Sequence, residues 1–228
     1  TAETIAAESV HDPTVARDYV FISVDDPDLV GESFEFLNAA ATEPNTIVEA
    51  LEGPDAAKWR EATDTEFYSL TREHKVWELT ELLHGRRAIN GRWVFRIKRN
   101  AHGEIEKRKA RFCAKGFTQR RGIDYADTFA PVMKSPTLRL LCAMANTHDL
   151  EIHQIDVQTA FLYGELDEEI YMRQPTGYVE PGSEHLVCCL LRGLYGLKQA
   201  GRAWNQRLNA ELVEIGFTRS DEDHCLYM

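Results

Sequence analysis

Residues Trp93-Val94-Phe95-Arg96-Ile97-Lys98-Arg99 alternate so regularly that they permit little besides a β-strand. Trp93, Phe95 and Ile97 fall on one face, while Arg96 and Lys98 share the other with Val94. Asn100-Ala101-His102-Gly103 is a turn sequence, and Glu104 to Lys115 is expected to return as a second strand. The product is a two-stranded arm with one apolar and one cationic face. Its return limb carries Lys107, Arg108, Lys109, Arg111 and Lys115.

Charge segregates around this arm. Residues 86–121 hold 13 of the 26 Lys and Arg with only 2 acids, a net of +11. Residues 1–85 have a net of −14 and residues 122–228 a net of −8, so the overall −11 conceals the basic block. Cations concentrated on a hairpin suit the phosphates of a nucleotide or nucleic-acid backbone, and a solvated charged hairpin is the plainer alternative.

A second stretch raises a chemical question. Residues 151–157 alternate like a strand and place Asp156 between Ile155 and Val157. An acid flanked by β-branched apolar residues is costly unless it is solvated, paired or bound to a cation. Two readings stay open here: a metal ligand, or a residue that ends the strand in a turn or cap.

Elsewhere the pattern predicts a helix from Pro54 to about His74, with Trp59, Ala62, Thr63, Phe67 and Leu70 on its buried face. A loop spans Gly116 to Pro131, and Ser135-Pro136 caps an apolar helix to about Asn146. Gly164–Glu169 reads as an acidic turn before a short strand, Ile170-Tyr171-Met172. His185–Leu191 reads as a buried strand. An amphipathic helix follows from about Ala200 to Ile215, with Trp204, Leu208, Leu212 and Ile215 as its stripe and Gly216 after it. Cys225–Met228 looks like the start of another strand. Residues 1–42 are acidic, broken by Pro13 and Pro27, and expected to be a largely disordered leader; Tyr19-Val20-Phe21-Ile22 within it could pair as a strand or dock on a partner.

Some function classes fall away. No apolar run approaches a membrane span and no basic-then-apolar leader is present, so membrane and secretory readings are not expected. Five cysteines without a Cys-x-x-Cys pair favour reduced thiols in an intracellular setting over a disulfide framework or zinc site.

Several ordered blocks carry a resemblance to a known family. They are Trp93-Val94-Phe95-Arg96-Ile97-Lys98, Lys109-Ala110-Arg111, Ala114-Lys115-Gly116-Phe117-Thr118-Gln119, Gly122-Ile123-Asp124-Tyr125 and Thr128-Phe129-Ala130-Pro131-Val132. Gln154-Ile155-Asp156-Val157-Gln158-Thr159-Ala160-Phe161-Leu162 and Leu194-Tyr195-Gly196-Leu197-Lys198-Gln199-Ala200 follow, the latter with Arg202-Ala203-Trp204. From about residue 43 onward the chain resembles the reverse transcriptase of Ty1/copia-type retrotransposon polyproteins.

The resemblance implies an α/β (α+β) chain with the polymerase right-hand fold, its fingers plus an incomplete palm. Residues 43–147 would be mainly fingers, with the basic hairpin 93–115, and residues 148–228 the incomplete palm. Its chemistry would be transfer of a deoxynucleotide to a primer end, assisted by a pair of Mg²⁺ ions, with Mn²⁺ an alternative. Asp156 would be the first catalytic, metal-binding aspartate, with the Val157 carbonyl as a further ligand. Lys98 and Arg111 would clamp the triphosphate. Phe161 would exclude a 2′-hydroxyl by shape, and Tyr195 and Gln199 would lie near the nucleotide and template. An ordinary core Phe and a ligand-free first-turn Gln remain the alternatives for Phe161 and Gln199. Lys107, Lys109 and Lys115 would follow the nucleic-acid backbone.

Partners by the same resemblance are RNA or DNA template-primer, deoxynucleoside triphosphates and the rest of a Pol polyprotein, with integrase upstream and the remaining palm and RNase H downstream. A cytoplasmic particle or the nucleus would be its location. Two departures stand out. Gly201 replaces a family proline and should loosen the entry into the last helix. The family's paired Asp-Asp motif is absent, because Asp25-Asp26 has the wrong surroundings. The isolated chain is therefore expected not to polymerise, and a non-catalytic nucleic-acid-binding remnant is the alternative function.

Overall fold

The structure, a computed structural model, describes residues 21–22 and 43–228. The expected disordered leader lies outside the described residues, apart from Phe21–Ile22. In chain order the elements are β1 (Phe21–Ile22), α1 (Ile47–Glu52), α2 (Ala56–Tyr68), β2 (Trp77–Thr80), β3 (Gly91–Arg99), β4 (Ile105–Ala114), α3 (Ser135–His148), β5 (Glu165–Met172), β6 (Val187–Arg192), α4 (Ala200–Glu214) and β7 (Leu226–Tyr227). This is a mixed α/β chain with small sheets. Its described residues divide into two compact units, the larger comprising residues 43–131 and 152–211 and the smaller residues 21–22, 132–151 and 212–228.

The larger unit is built on the β3–β4 hairpin. Its antiparallel register pairs Trp93 with Phe112 and Phe95 with Ala110, so the apolar positions of both strands share one face. Trp93, Phe95, Ala110, Phe112 and Ala114 are buried there. Helix α2 continues through a π-helical turn, Ser69–Glu73, and packs on β4. Its buried residues are Trp59, Thr63, Glu66 and Leu70, spaced as one helical stripe. The Trp59 ring meets Phe95 edge-on at 5.2 Å. Helix α1 begins in a capping box, in which Glu49 N–H donates to Thr46 Oγ1 at 3.1 Å and Asn45 N–H to Glu49 Oε2 at 2.9 Å.

A three-stranded sheet in the order β2-β6-β5 completes this unit. Strand β6 is central, as its apolar run requires, and Val187, Cys188 and Leu190 are buried. Ile89 bridges to Met172 at the sheet margin, and its N–H donates to the Tyr171 carbonyl at 2.8 Å. The Trp93 indole N–H donates to the Thr176 carbonyl at 3.0 Å, joining the hairpin to the segment after β5. One apolar core runs from Ile47 through the hairpin and β6 to Ala200.

The smaller unit contains α3, the β1–β7 pair and the end of α4. Pro136 lies in the first turn of α3, where a missing N–H costs nothing, and the helix starts after Lys134. Asp223 Oδ2 accepts from Lys134 N–H at 3.0 Å and from Thr137 Oγ1 at 2.6 Å, tying that turn down. Only Ala145 of α3 is buried. Phe21–Ile22 pairs antiparallel with Leu226–Tyr227, matching both short strands read from sequence.

Three local expectations need correction. Residues 151–157 are not a strand: they are irregular, and all but the half-buried Val157 are exposed, with Ile152 at 71% and Ile155 at 62%. Alternation prepares a strand, but its backbone needs a neighbour to pair with, and no described strand lies alongside. Residues 165–169 are part of β5 rather than a turn, with the register shifting between Glu165 and Ile170. Ile215 does not extend the α4 stripe; it lies past the helix end and is 67% exposed. Among the described residues no helix is long and apolar enough to cross a membrane.

Candidate functional site

The cations of the hairpin divide between its two faces: Arg108 stands opposite Ile97 on the apolar face, and Arg96, Lys98, Lys107 and Lys109 share the other. Arg108 is drawn inward: Nη2 donates to Asp55 Oδ2 at 2.6 Å and the guanidinium lies 5.9 Å from the Trp59 ring centre. That hydrogen bond holds the Asp55 carboxyl below its ordinary range. Arg96 pairs with Glu43 at 2.7 Å, and Glu43 also accepts from Ile97 N–H at 2.8 Å. These two arginines fasten the arm. Lys98 and Lys107 are exposed directly opposite one another, and Lys109 opposes Arg96. Like charges facing across a ladder repel.

Arg111 is half-buried and cross-strand from Val94. Its guanidinium lies 5.3 Å from the Tyr195 ring centre. Tyr195 is 4% exposed, and burial raises its phenol above the ordinary value. Its carbonyl accepts from Ala114 N–H at 2.7 Å, so the loop before α4 is stitched to the outer edge of β4. The neighbouring outer-edge amide, Phe112 N–H, donates to Glu66 Oε1 of α2 at 3.1 Å. Glu66 is buried, and its carboxyl is pushed up to about 7 by desolvation. Sequence reasoning passed over Glu66, although it stands in the Trp59, Thr63, Leu70 stripe where an acid is out of place.

Gln199 is also buried, at 3% exposed. Its Oε1 accepts from Gln119 Nε2 at 3.0 Å, and its Nε2 donates to the Asp124 carbonyl at 2.9 Å and Glu168 Oε2 at 3.1 Å. Gln119 Oε1 accepts from Lys198 N–H at 2.9 Å. The paired amides join the 116–125 loop, β5 and the start of α4. Gln119→Leu would take the donor from the buried Gln199 Oε1 and the acceptor from Lys198 N–H, an expected loss of about 2 kcal/mol. Urea unfolding with an unchanged denaturant slope checks this, and a midpoint equal to wild type would show that water replaces the amide without penalty.

Asp156 and Val157 lie in the irregular segment before a 3₁₀ turn, Ala160–Tyr163. Asp156 is exposed. Thr159 holds a left-handed backbone, φ 55°, unusual for a β-branched residue. Its Oγ1 donates to the Gln158 carbonyl at 2.7 Å and therefore accepts from His74 Nε2 at 3.2 Å. Burial keeps His74 below the ordinary histidine value, consistent with a neutral ring. The turn carries Phe161, half-buried, with its ring edge-on to Tyr195 at 6.0 Å. Lys115 is half-buried and donates its N–H to the Asn90 carbonyl at 2.8 Å.

The structure thus brings Arg111, Tyr195 and Phe161 together, sets Gln199 in a buried network, and places Lys98, Lys107 and Lys109 along one hairpin face. Asp156 and the Val157 carbonyl offer the oxygen donors that a hard divalent ion takes. Among the described residues, however, no three His, Cys, Asp or Glu side chains gather as a metal site. The described residues do not build a complete metal centre.

Comparison with known proteins gives the class. The family described as reverse transcriptase (RNA-dependent DNA polymerase) matches residues 74–228. The chain belongs to that family, whose members use divalent metal ions. Its relatives are retrotransposon polyproteins of the Ty1/copia type. It is 38% identical over 81% of its length to the retrovirus-related Pol polyprotein from transposon TNT 1-94 of Nicotiana tabacum, and 40% identical over 83% to that from transposon RE1 of Arabidopsis thaliana. Over 57% of its length it is 32% identical to the transposon Ty1-ER2 Gag-Pol polyprotein of Saccharomyces cerevisiae. The matched segment spans 14%, 13% and 7% of those three proteins. No solved structure matches the chain.

Proposed function

We propose that the chain forms fingers and part of the palm of an RNA-directed DNA polymerase, and that the hairpin grips template-primer and an incoming deoxynucleoside triphosphate. Membership of the reverse transcriptase family supports the activity, and one observation supports the assignment of roles. Arg111 stands on the arm with its guanidinium 5.3 Å from the Tyr195 ring centre, and Lys98 and Lys107 face one another across the same hairpin. In this reading Lys98 and Arg111 hold the triphosphate, Lys107, Lys109 and Lys115 follow the backbone, and Phe161 rejects a 2′-hydroxyl beside Tyr195. Gln199 stiffens the loop that carries Tyr195. Asp156 and Val157 are the residues that would hold one of the family's divalent ions, Mg²⁺ by preference; that ion would neutralise charge on the phosphates.

One feature favours binding without chemistry: Asp156 is exposed, and among the described residues no three His, Cys, Asp or Glu side chains gather as a metal site. Titration with a labelled primer-template at several salt concentrations separates the roles. Lys107→Ala should weaken binding several-fold at low salt and reduce the salt dependence, while Asp156→Ala should leave it unchanged. Salt-independent binding, or none, would remove the hairpin from the nucleic-acid interface. Within the whole polyprotein, Asp156→Ala should abolish template-directed incorporation; retained incorporation would leave only the binding role.

A further inference from the structure

The outer edge of β4 is closed by two unlike groups, a loop carbonyl at Ala114 and the buried Glu66 carboxylate at Phe112. Arg111 immediately precedes Phe112, whose amide is bonded to Glu66, and its guanidinium lies 5.3 Å from the Tyr195 ring centre. The geometry points to Glu66 as a positioning residue for Arg111, and to triphosphate binding at Arg111 being coupled to uptake of a proton by the Glu66 carboxylate. This rests on the reading of Arg111 as a triphosphate ligand.

The physical argument concerns charge in a dry place. Glu66 faces Lys109, Arg111 and Cys113 from β4 and Tyr195 from the loop before α4. The two cations favour its ionised form, but desolvation outweighs them. A triphosphate arriving at Arg111, one residue from the Phe112 amide that Glu66 holds, adds negative charge nearby. Holding both anions there is expensive, and the cheapest relief is for Glu66 to take a proton from solvent. Neutral Glu66 keeps a carbonyl oxygen for Phe112 N–H, so the strand edge stays closed while Arg111 turns its charge to the ligand. Cys113, pushed up to about 11 by burial, and Tyr195, raised further, stay neutral near pH 7 and cannot supply this response.

The test is calorimetric titration of the full chain with inorganic tripolyphosphate between pH 6 and pH 9. Wild type should bind with constant affinity below about 7, the value of Glu66, and weaken by up to about tenfold per pH unit above it, after correction against Glu66→Gln. Glu66→Gln keeps an acceptor for Phe112 N–H and removes the charge; its profile should lack that limb and exceed wild-type affinity about tenfold or more at pH 8.5. Glu66→Asp should retain a limb, and Glu66→Ala, lacking the acceptor, should bind more weakly than Glu66→Gln at every pH. Comparing variants cancels titration of the ligand itself. Parallel profiles for wild type and Glu66→Gln overturn the coupling, and equal affinities for Glu66→Ala and Glu66→Gln overturn the positioning role. If Arg111→Ala binds as wild type does, or wild type binds at no pH, the reading of Arg111 fails and takes this proposal with it.

Discussion

Gly196→Ala should lower the melting temperature by about 10 °C and uncouple the Tyr195 loop from the hairpin. Gly196 sits at φ +85°, a left-handed backbone that costs an L-residue about 1–2 kcal/mol. It also lies against β4, where an added Cβ would run into the Ala114 carbonyl oxygen, well inside van der Waals contact. A backbone oxygen in a paired strand cannot swing away as a side chain can, so a further 1–3 kcal/mol of overpacking is expected, about 3–4 kcal/mol in all. For a chain of this size that is roughly 10 °C. Gly103, at φ +79° in the hairpin turn, separates the two contributions, because a Cβ there meets nothing within 4 Å. Gly103→Ala should cost the backbone strain alone. Equal melting points for the two variants would show that the loop is not seated on β4. Since Tyr195 O accepts from Ala114 N–H, Gly196→Ala should also weaken Arg111-dependent anion binding.

The second large effect is on stability against pH. Glu66 has a folded-state value of about 7 against 4.5 for the free side chain. For an acid raised in this way, the favourable contribution is complete below about 4.5 and is lost as pH rises through about 7. Above that, both states are ionised, and the folded one pays for a buried carboxylate. Wild type should therefore lose on the order of 3 kcal/mol relative to Glu66→Gln between pH 5 and pH 8. The comparison has to be relative, because His74 pulls the other way. Its depressed value means stability that is present above the free-histidine value and lost as pH falls through the folded one. His74 is common to both proteins and drops out of the difference. Denaturant melts at pH 5, 6.5 and 8 would decide the matter, and a difference independent of pH would mean that Glu66 is ionised throughout.

These two predictions rest on residues of different legibility. A glycine inside Leu194-Tyr195-Gly196-Leu197 marks a turn in any reading of the chain. Nothing in the sequence says that the turn lies against Ala114, 82 positions earlier. Glu66 breaks an apolar stripe, which is a visible anomaly, but its hydrogen bond crosses to a strand 46 positions away. The amide pair of Gln119 and Gln199 spans 80 positions and had no local signal at all.

What the sequence determined by itself is whatever depends on neighbours along the chain. The two faces of the hairpin, its turn, the stripes of α2 and α4 and the buried run of β6 follow from periods of two and 3.6 residues, which pick a face before any partner is chosen. The family likeness is of the same kind, since ordered blocks of residues carry it. Tertiary structure decided what needs a partner. Residues 151–157 had the alternation of a strand and no described strand to pair with, so Asp156 stands exposed in irregular chain. Nothing local in the sequence ties Arg96 to Glu43 or Arg108 to Asp55; the fold turned these arginines into fastenings. Hydrogen bonds and burial act through space at a few ångströms, and the positions they bring together share no period along the chain.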